Sequence, residues 1–216
     1  MTSSGGHTAT NSRGIRPTSV TWPPMVAVNS TMVPLGTGAP DFDLVTSGGL
    51  RHRPADLVGR TGLIVAFLSN HCPYVHHIGA ALGDAARDLA TAGIATVGIN
   101  ANDVDAYPDD APDLMDATAA RFGWDFPYLF DPTQQVAVAY RAACTPDLYL
   151  FDADLRLVYR GRFDATRPGG SATPDGADLR AAAAALAEGS APIDDQWPSV
   201  GCNIKWRPGN APPWFG

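Results

Sequence analysis

Cys72 is the residue of this chain best placed to do chemistry, because of what stands on either side of it. Leu63-Ile64-Val65-Ala66-Phe67-Leu68 is a continuous apolar run without period-2 alternation, which predicts a central parallel strand covered on both faces. Beyond the cysteine the period changes: Val75, Ile78, Leu82, Ala85 or Ala86, and Leu89 recur every three or four residues, which predicts a helix running to about Gly93. Pro73 suits the first helical turn, where its missing N–H costs nothing. Cys72 therefore stands at a helix N-terminus, where unpaired N–H groups and the helix dipole favour a thiolate. A thiol with a pKa of ~8.5 is only a few per cent ionised at neutral pH, and a fall of roughly two units makes it mostly thiolate. The competing reading, a small buried core cysteine, has no need of this junction.

Other candidates gather around the same stretch. Ser69, three residues earlier, is either a loop residue turning the chain or a hydroxyl hydrogen-bonded near Cys72. His71 is either an exposed loop side chain or an imidazolium that stabilises the thiolate. Cys72 and His76 are spaced i, i+4 on the helix, but with no second cysteine nearby and neighbouring histidines pointing apart, no metal site is expected. Cys144 and Cys202 are each either buried or able to reset an oxidised Cys72. No glycine-rich phosphate loop is present, so no nucleotide, flavin or other cofactor is expected.

The 216 residues suit one domain with extensions. Aspartate outnumbers glutamate twenty-one to one, the net charge is −7 and no basic cluster exists, which argues against nucleic acid as a partner. The first residues lack an apolar signal region and no segment approaches ~18 uninterrupted apolar residues, so the expectation is a cytoplasmic protein with no membrane partner. Three cysteines, an odd and low count, argue for thiols kept reduced between turnovers rather than a disulfide framework.

The elements that must position Cys72 follow in order. Residues 1–30 read as a disordered extension, since the stretch to about Pro24 is rich in Ser, Thr and Gly. Residues 31–189 form the domain and residues 190–216 an irregular Pro- and Trp-rich tail packed on it. The segments Pro40–Val45 and Leu50–Val58 predict a short hairpin. Ile94–Asn100 predicts a second strand, parallel to the first. Helical spacing returns at Asp113–Phe122 and Gln134–Tyr140, with a short apolar piece, Phe126–Phe130, between them. Asp147–Asp152 and Leu155–Phe163 predict an antiparallel hairpin, and Asp175–Glu188 a final helix ending at Gly189.

This order, with the motifs L-S-N-H-C-P-Y-V, A-C-T-P-D-L-Y-L-F-D and P-S-V-G-C-N-I-K-W-R-P-G-N, resembles the peroxiredoxin-like branch of the alkyl hydroperoxide reductase/thiol-specific antioxidant (AhpC/TSA, redoxin) group over about Val33 to Pro212. The resemblance implies an α/β, thioredoxin-like fold, with a central mixed sheet flanked by helices. It also implies that Thr145-Pro146 is a cis-proline step facing the active-site cysteine, and it makes Cys72, Ser69, Cys144, Thr145 and Pro146 the expected site. Relatives usually carry C-N-H-C-P, whereas Ser69 here replaces the first cysteine, so a C-x-x-C dithiol cannot form. The remaining S-x-x-C-P is similar to the peroxiredoxin T-x-x-C motif, although Val65 stands in place of that motif's leading proline and Pro146 roughly where peroxiredoxins carry an arginine. The implied activity is a thiol-dependent, antioxidant oxidoreductase in which Cys72 attacks a small-molecule peroxide or a protein disulfide and an external thiol reductant restores it. The rival is a non-catalytic thioredoxin-fold binding module that has lost the dithiol. Within the implied fold Cys144, two residues before Pro146, is expected to be the better internal partner for Cys72 than Cys202.

Overall fold

The computed structural model describes Met1 and residues 27–215. Along the chain run β1 (Ala27–Asn29), β2 (Leu44–Thr46), β3 (Arg51–His52), the short α1 (Pro54–Leu57), β4 (Gly62–Phe67), α2 (Pro73–Thr91) and β5 (Ile94–Asn100). Then follow α3 (Met115–Phe122), β6 (Tyr128–Phe130), α4 (Gln135–Tyr140), β7 (Cys144–Thr145), β8 (Asp147–Asp152), β9 (Leu157–Gly161), α5 (Ala177–Ala187) and β10 (Val200–Asn203).

Seven strands make the main sheet in the order β3-β2-β6-β5-β4-β8-β9. β4 lies in its interior, between β5 and β8, and all six of its residues are apolar or glycine and buried. Its side chains alternate between two cores: Ile64 and Ala66, continued by Leu68, join one, while Leu63, Val65 and Phe67 join the other. α2 covers the first face through Val75, Ile78, Leu82, Ala85 and Leu89, and α5 joins it through Leu179, Ala182 and Ala183. α4 covers the second with Val136, Ala137 and Tyr140, the tyrosine ring packing edge-on to Phe67, Tyr149 and Phe151. β4 and β5 pair in parallel across the α2 crossover, and β8 pairs antiparallel to β4 and β9, so the sheet is mixed. The hairpin expected near the start is β2–β3, after which the chain enters α1 instead of continuing extended, with Pro54 at its start.

Two boundaries read from the sequence are corrected. Residues 2–26 of the expected disordered extension lie outside the described residues, but Ala27–Asn29 are a strand, not disordered chain. The tail expected to be irregular contributes β10, which pairs antiparallel with β1 on one side and β7 on the other. Both segments become strands through hydrogen bonds to distant parts of the chain, for which four residues of V-G-C-N carry no local signal. Gly201 is what lets β10 come so close: a Cβ there would stand 2.1 Å from the carbonyl oxygen of Thr145.

Candidate functional site

The strand-to-helix junction after β4 delivers Cys72 as the residue capping α2, in extended backbone conformation (φ −68°, ψ 121°) with Pro73 at the first helical position. Its side chain is wholly buried. Opposite it, β7 carries Thr145, whose peptide bond to Pro146 is cis. Protonated, the Cys72 sulfur donates to the Thr145 carbonyl oxygen at 3.1 Å.

Ionised, the same sulfur is ringed by donors. Burial pushes the Cys72 thiol up, but hydrogen bonds from the Cys202 thiol, the Thr145 hydroxyl, and the Val75 and Cys202 backbone N–H groups outweigh it and pull the pKa down to about 6. The Thr145 hydroxyl has no other polar partner, so the sulfur is its natural acceptor. The Val75 N–H is one of the unpaired donors of the first helical turn, which is the N-terminal effect expected from the sequence. Cys202 moves the opposite way, its pKa raised by the hydrogen bond it gives to Cys72, by burial, and by the Cys72 charge, against a lowering influence of Lys205.

Ser69 is fully buried and organises the loop that carries Cys72. Its hydroxyl accepts from the Cys72 N–H at 3.2 Å and the His71 N–H at 3.3 Å, and donates to Asp110 Oδ1 at 2.9 Å. Asp110, from the 3-10 turn Pro108–Asp110, is a buried carboxylate that also receives the Asn70 N–H at 2.6 Å and the Asn102 side-chain amide at 2.6 Å. His71 Nδ1 lies 2.7 Å from Asp110 Oδ2, and its ring stacks on Tyr107 with centroids 5.8 Å apart. Burial acts to lower the His71 pKa, but the Asp110 bond and charge, with the Cys72 charge added, raise it. Asp110 in turn is held below the usual carboxylate range: burial opposes this, and His71, Asn102 and the Asn70 N–H overcome it. Lys205, beyond β10, is clamped by Asn203 and stands over the Tyr107 ring at 5.6 Å.

Of the residues expected at the site, Cys72, Ser69, Thr145 and Pro146 come together. Cys144 makes its hydrogen bond elsewhere: its thiol donates to the Pro146 carbonyl at 3.5 Å, and burial, with the Asp147 and Cys72 charges, holds its pKa well above the ordinary value. Against the expectation that Cys144 is the better internal partner for Cys72, the thiol hydrogen-bonded to the Cys72 sulfur is that of Cys202. β10 brings Cys202 directly opposite Thr145, on the strand face turned to Cys72. Asp110, Asn102, Lys205 and Tyr107 went unrecognised in the sequence; the one signal for any of them is the tail motif G-C-N-I-K, which contains Lys205 as well as Cys202. The two histidines of α2 have separate partners, His76 on the Asn70 carbonyl at 2.6 Å and His77 on the Thr166 hydroxyl at 2.8 Å. Among the described residues no group of three or more His, Cys, Asp or Glu side chains is arranged to hold a metal ion. No helix among them is long and apolar enough to cross a membrane.

Comparison with known proteins places this geometry. An uncharacterized conserved protein from Geobacillus kaustophilus is 45% identical, with a TM-score of 0.84 over 86% of this chain and 99% of its own. The hypothetical protein SMc02350 from Sinorhizobium meliloti 1021 is 46% identical, with a TM-score of 0.82 over 84% of this chain and 99% of its own. More distant in sequence, at 18% identity and a TM-score of 0.52, peroxidoxin BcpB from Mycobacterium tuberculosis shares the thioredoxin-like fold over 72% of this chain and 96% of its own. No curated protein matches. The sequence profile of the AhpC/TSA family matches residues 35–160, which span the Cys72 junction, the cis-proline step and the sheet that joins them, and the chain belongs to that family.

Proposed function

We propose that the protein is a thiol-dependent reductase of small peroxides, with Cys72 as the nucleophile. The observation that carries this reading is the ring of donors around one buried sulfur, which favours the thiolate at neutral pH. Burial supports peroxide over a protein disulfide as the substrate. A sulfur with no exposed surface is out of reach of a disulfide on a folded protein, whereas a small peroxide needs only side-chain motion to arrive.

The thiolate attacks the terminal peroxide oxygen, the S–O bond forms as the O–O bond breaks, and the departing alkoxide or hydroxide takes a proton. His71 is the group suited to supply it: Nδ1–H is committed to Asp110, and the raised pKa favours a second proton on Nε2. His71 and Lys205 bring to this site the positive charge that peroxiredoxins draw from an arginine near the position of Pro146. An external thiol then restores the enzyme.

Peroxide consumption with dithiothreitol as donor tests the reading. Wild-type protein should turn over and Cys72→Ser should not, and sulfenate trapping should label Cys72 in a Cys202→Ser background. Equal rates in wild type and Cys72→Ser, or no label at Cys72, would favour a binding module instead. Asp110→Asn should lower the His71 pKa, followed by its imidazole NMR signals, and slow peroxide consumption in parallel.

A further inference from the structure

The proposed peroxide chemistry leaves an oxidised sulfur that must be resolved, and the fold sets a second thiol, Cys202, beside it. We propose that Cys72 and Cys202 form a reversible intramolecular disulfide between the start of α2 and the middle strand of the small sheet, so that a tail strand takes over the role of the dithiol partner lost at Ser69. The peroxide-driven route to this bond rests on the function proposed above; the pairing itself does not.

The geometry singles out Cys202. β10 pairs with β7 so that Cys202 stands opposite Thr145 and Asn203 opposite Cys144. Side chains alternate along a strand, so Thr145 and Cys202 share one face and Cys144 and Asn203 the other. Cys72 meets the first pair: it hydrogen-bonds to Thr145 and to the Cys202 thiol, and Cys72 and Cys202 belong to the same buried cluster. Cys144 on the other face donates to the Pro146 carbonyl instead. The two thiols are already hydrogen-bonded, so forming the S–S bond of ~2.05 Å asks only that this pair close up, with no rearrangement of the strand pairing that brings them together.

The chemistry runs in an order that this contact enforces. In the reduced protein Cys202 keeps its proton and donates it toward the Cys72 thiolate. Oxidation converts that thiolate into a sulfenic acid and removes the negative charge facing Cys202, while Lys205 continues to favour ionisation there. The Cys202 thiolate then attacks the Cys72 sulfur; the S–S bond forms, the S–O bond breaks, and the departing hydroxide leaves as water with the proton given up by Cys202. Two equivalents of an external thiol reduce the disulfide, returning both thiols and releasing the oxidised donor.

Two oxidants separate this inference from the peroxide reading. Reduced wild-type protein is treated with one equivalent of hydrogen peroxide or of diamide, alkylated, and mapped by mass spectrometry. The expected product in both arms is a Cys72–Cys202 bond with Cys144 alkylated only after denaturation, and Cys144→Ser should leave that bond in place. With one equivalent of peroxide Cys202→Ser should stop at sulfenic acid on Cys72, and a second equivalent should carry it to sulfinic acid. If peroxide leaves all three thiols reduced while diamide closes the bond, the peroxide reading falls and the redox pair stands. A bond from Cys72 to Cys144, sulfinic acid at Cys72 with Cys202 free in wild type, or no Cys72–Cys202 bond with diamide overturns the pairing.

Discussion

β7 and β10 lie side by side, each carries one cysteine, and the two thiols have opposite fates. Cys202 reaches the Cys72 sulfur, whereas Cys144 is turned into a dry region bounded by the Pro146 carbonyl and Asp147. Both are almost wholly buried, so exposure does not separate them. The difference is one residue of register: Cys202 pairs with Thr145, not with Cys144, and period-2 alternation then sends the thiols to opposite faces. Proximity in sequence to a cis-proline is therefore a poor guide to which side chain faces the active-site helix.

The register depends on how closely the two strands approach, so Gly201 is the place to break the comparison. Any side chain there meets the Thr145 carbonyl carbon at 2.7 Å as well as its oxygen. Gly201→Val should push β10 away from β7, costing about 3 kcal/mol as an overpacked site with strained neighbours. Urea denaturation should show that loss. Alkylation of Cys72 should also shift toward higher pH as Cys202 withdraws, and an unchanged stability would mean that the strands do not depend on this contact.

The Cys144 side has its own signature in Asp147. Burial pushes this carboxyl up to about 7, against hydrogen bonds from the Ala143 N–H and the Tyr149 hydroxyl that favour its ionised form. Between its unfolded pKa near 4 and the folded value, the native state holds a proton that the unfolded chain has released, so this group makes stability fall as pH rises through that window. From pH 5 to 7 the effect is about 2 to 3 kcal/mol, at about 1.36 kcal/mol per unit. Asp147→Asn should remove it. Subtracting wild-type from variant unfolding free energies at several pH values isolates this group, and a flat difference would show that the Cys144 side is wetter than its burial suggests.

How much of this was legible follows from which interactions are local. The β4–α2 junction was, because an apolar run and a 3.6-residue stripe are properties of neighbouring residues. The cis peptide at Pro146 came through family resemblance, since nothing in Thr145-Pro146 itself distinguishes it from a trans step. Asp110 was hidden because its partners Ser69 and Asn70 lie about forty residues away and its own surroundings read as a Pro/Asp-rich loop. β10 was hidden for a related reason: its strand conformation and the facing of Cys202 exist only once β1 and β7 are in place.

The smallest effect tests the comparison most directly, because it asks which cysteine sets the acidity of Cys72. Cys202→Ala removes the hydrogen bond that contributes most to stabilising the thiolate and leaves Thr145 and the Val75 N–H in place. One hydrogen bond to a charged group is worth about 1.5 kcal/mol, or roughly one pKa unit. The midpoint of Cys72 alkylation against pH should therefore rise by about that much from its low starting value. Cys144→Ala removes a thiol that makes no bond to Cys72, so its midpoint should stay with wild type. Serine at 202 discriminates further, since its hydroxyl can still donate and should recover part of the shift. A rise with Cys144→Ala and none with Cys202→Ala would reverse the assignment of the two strands, and with it the identity of the thiol that answers Cys72.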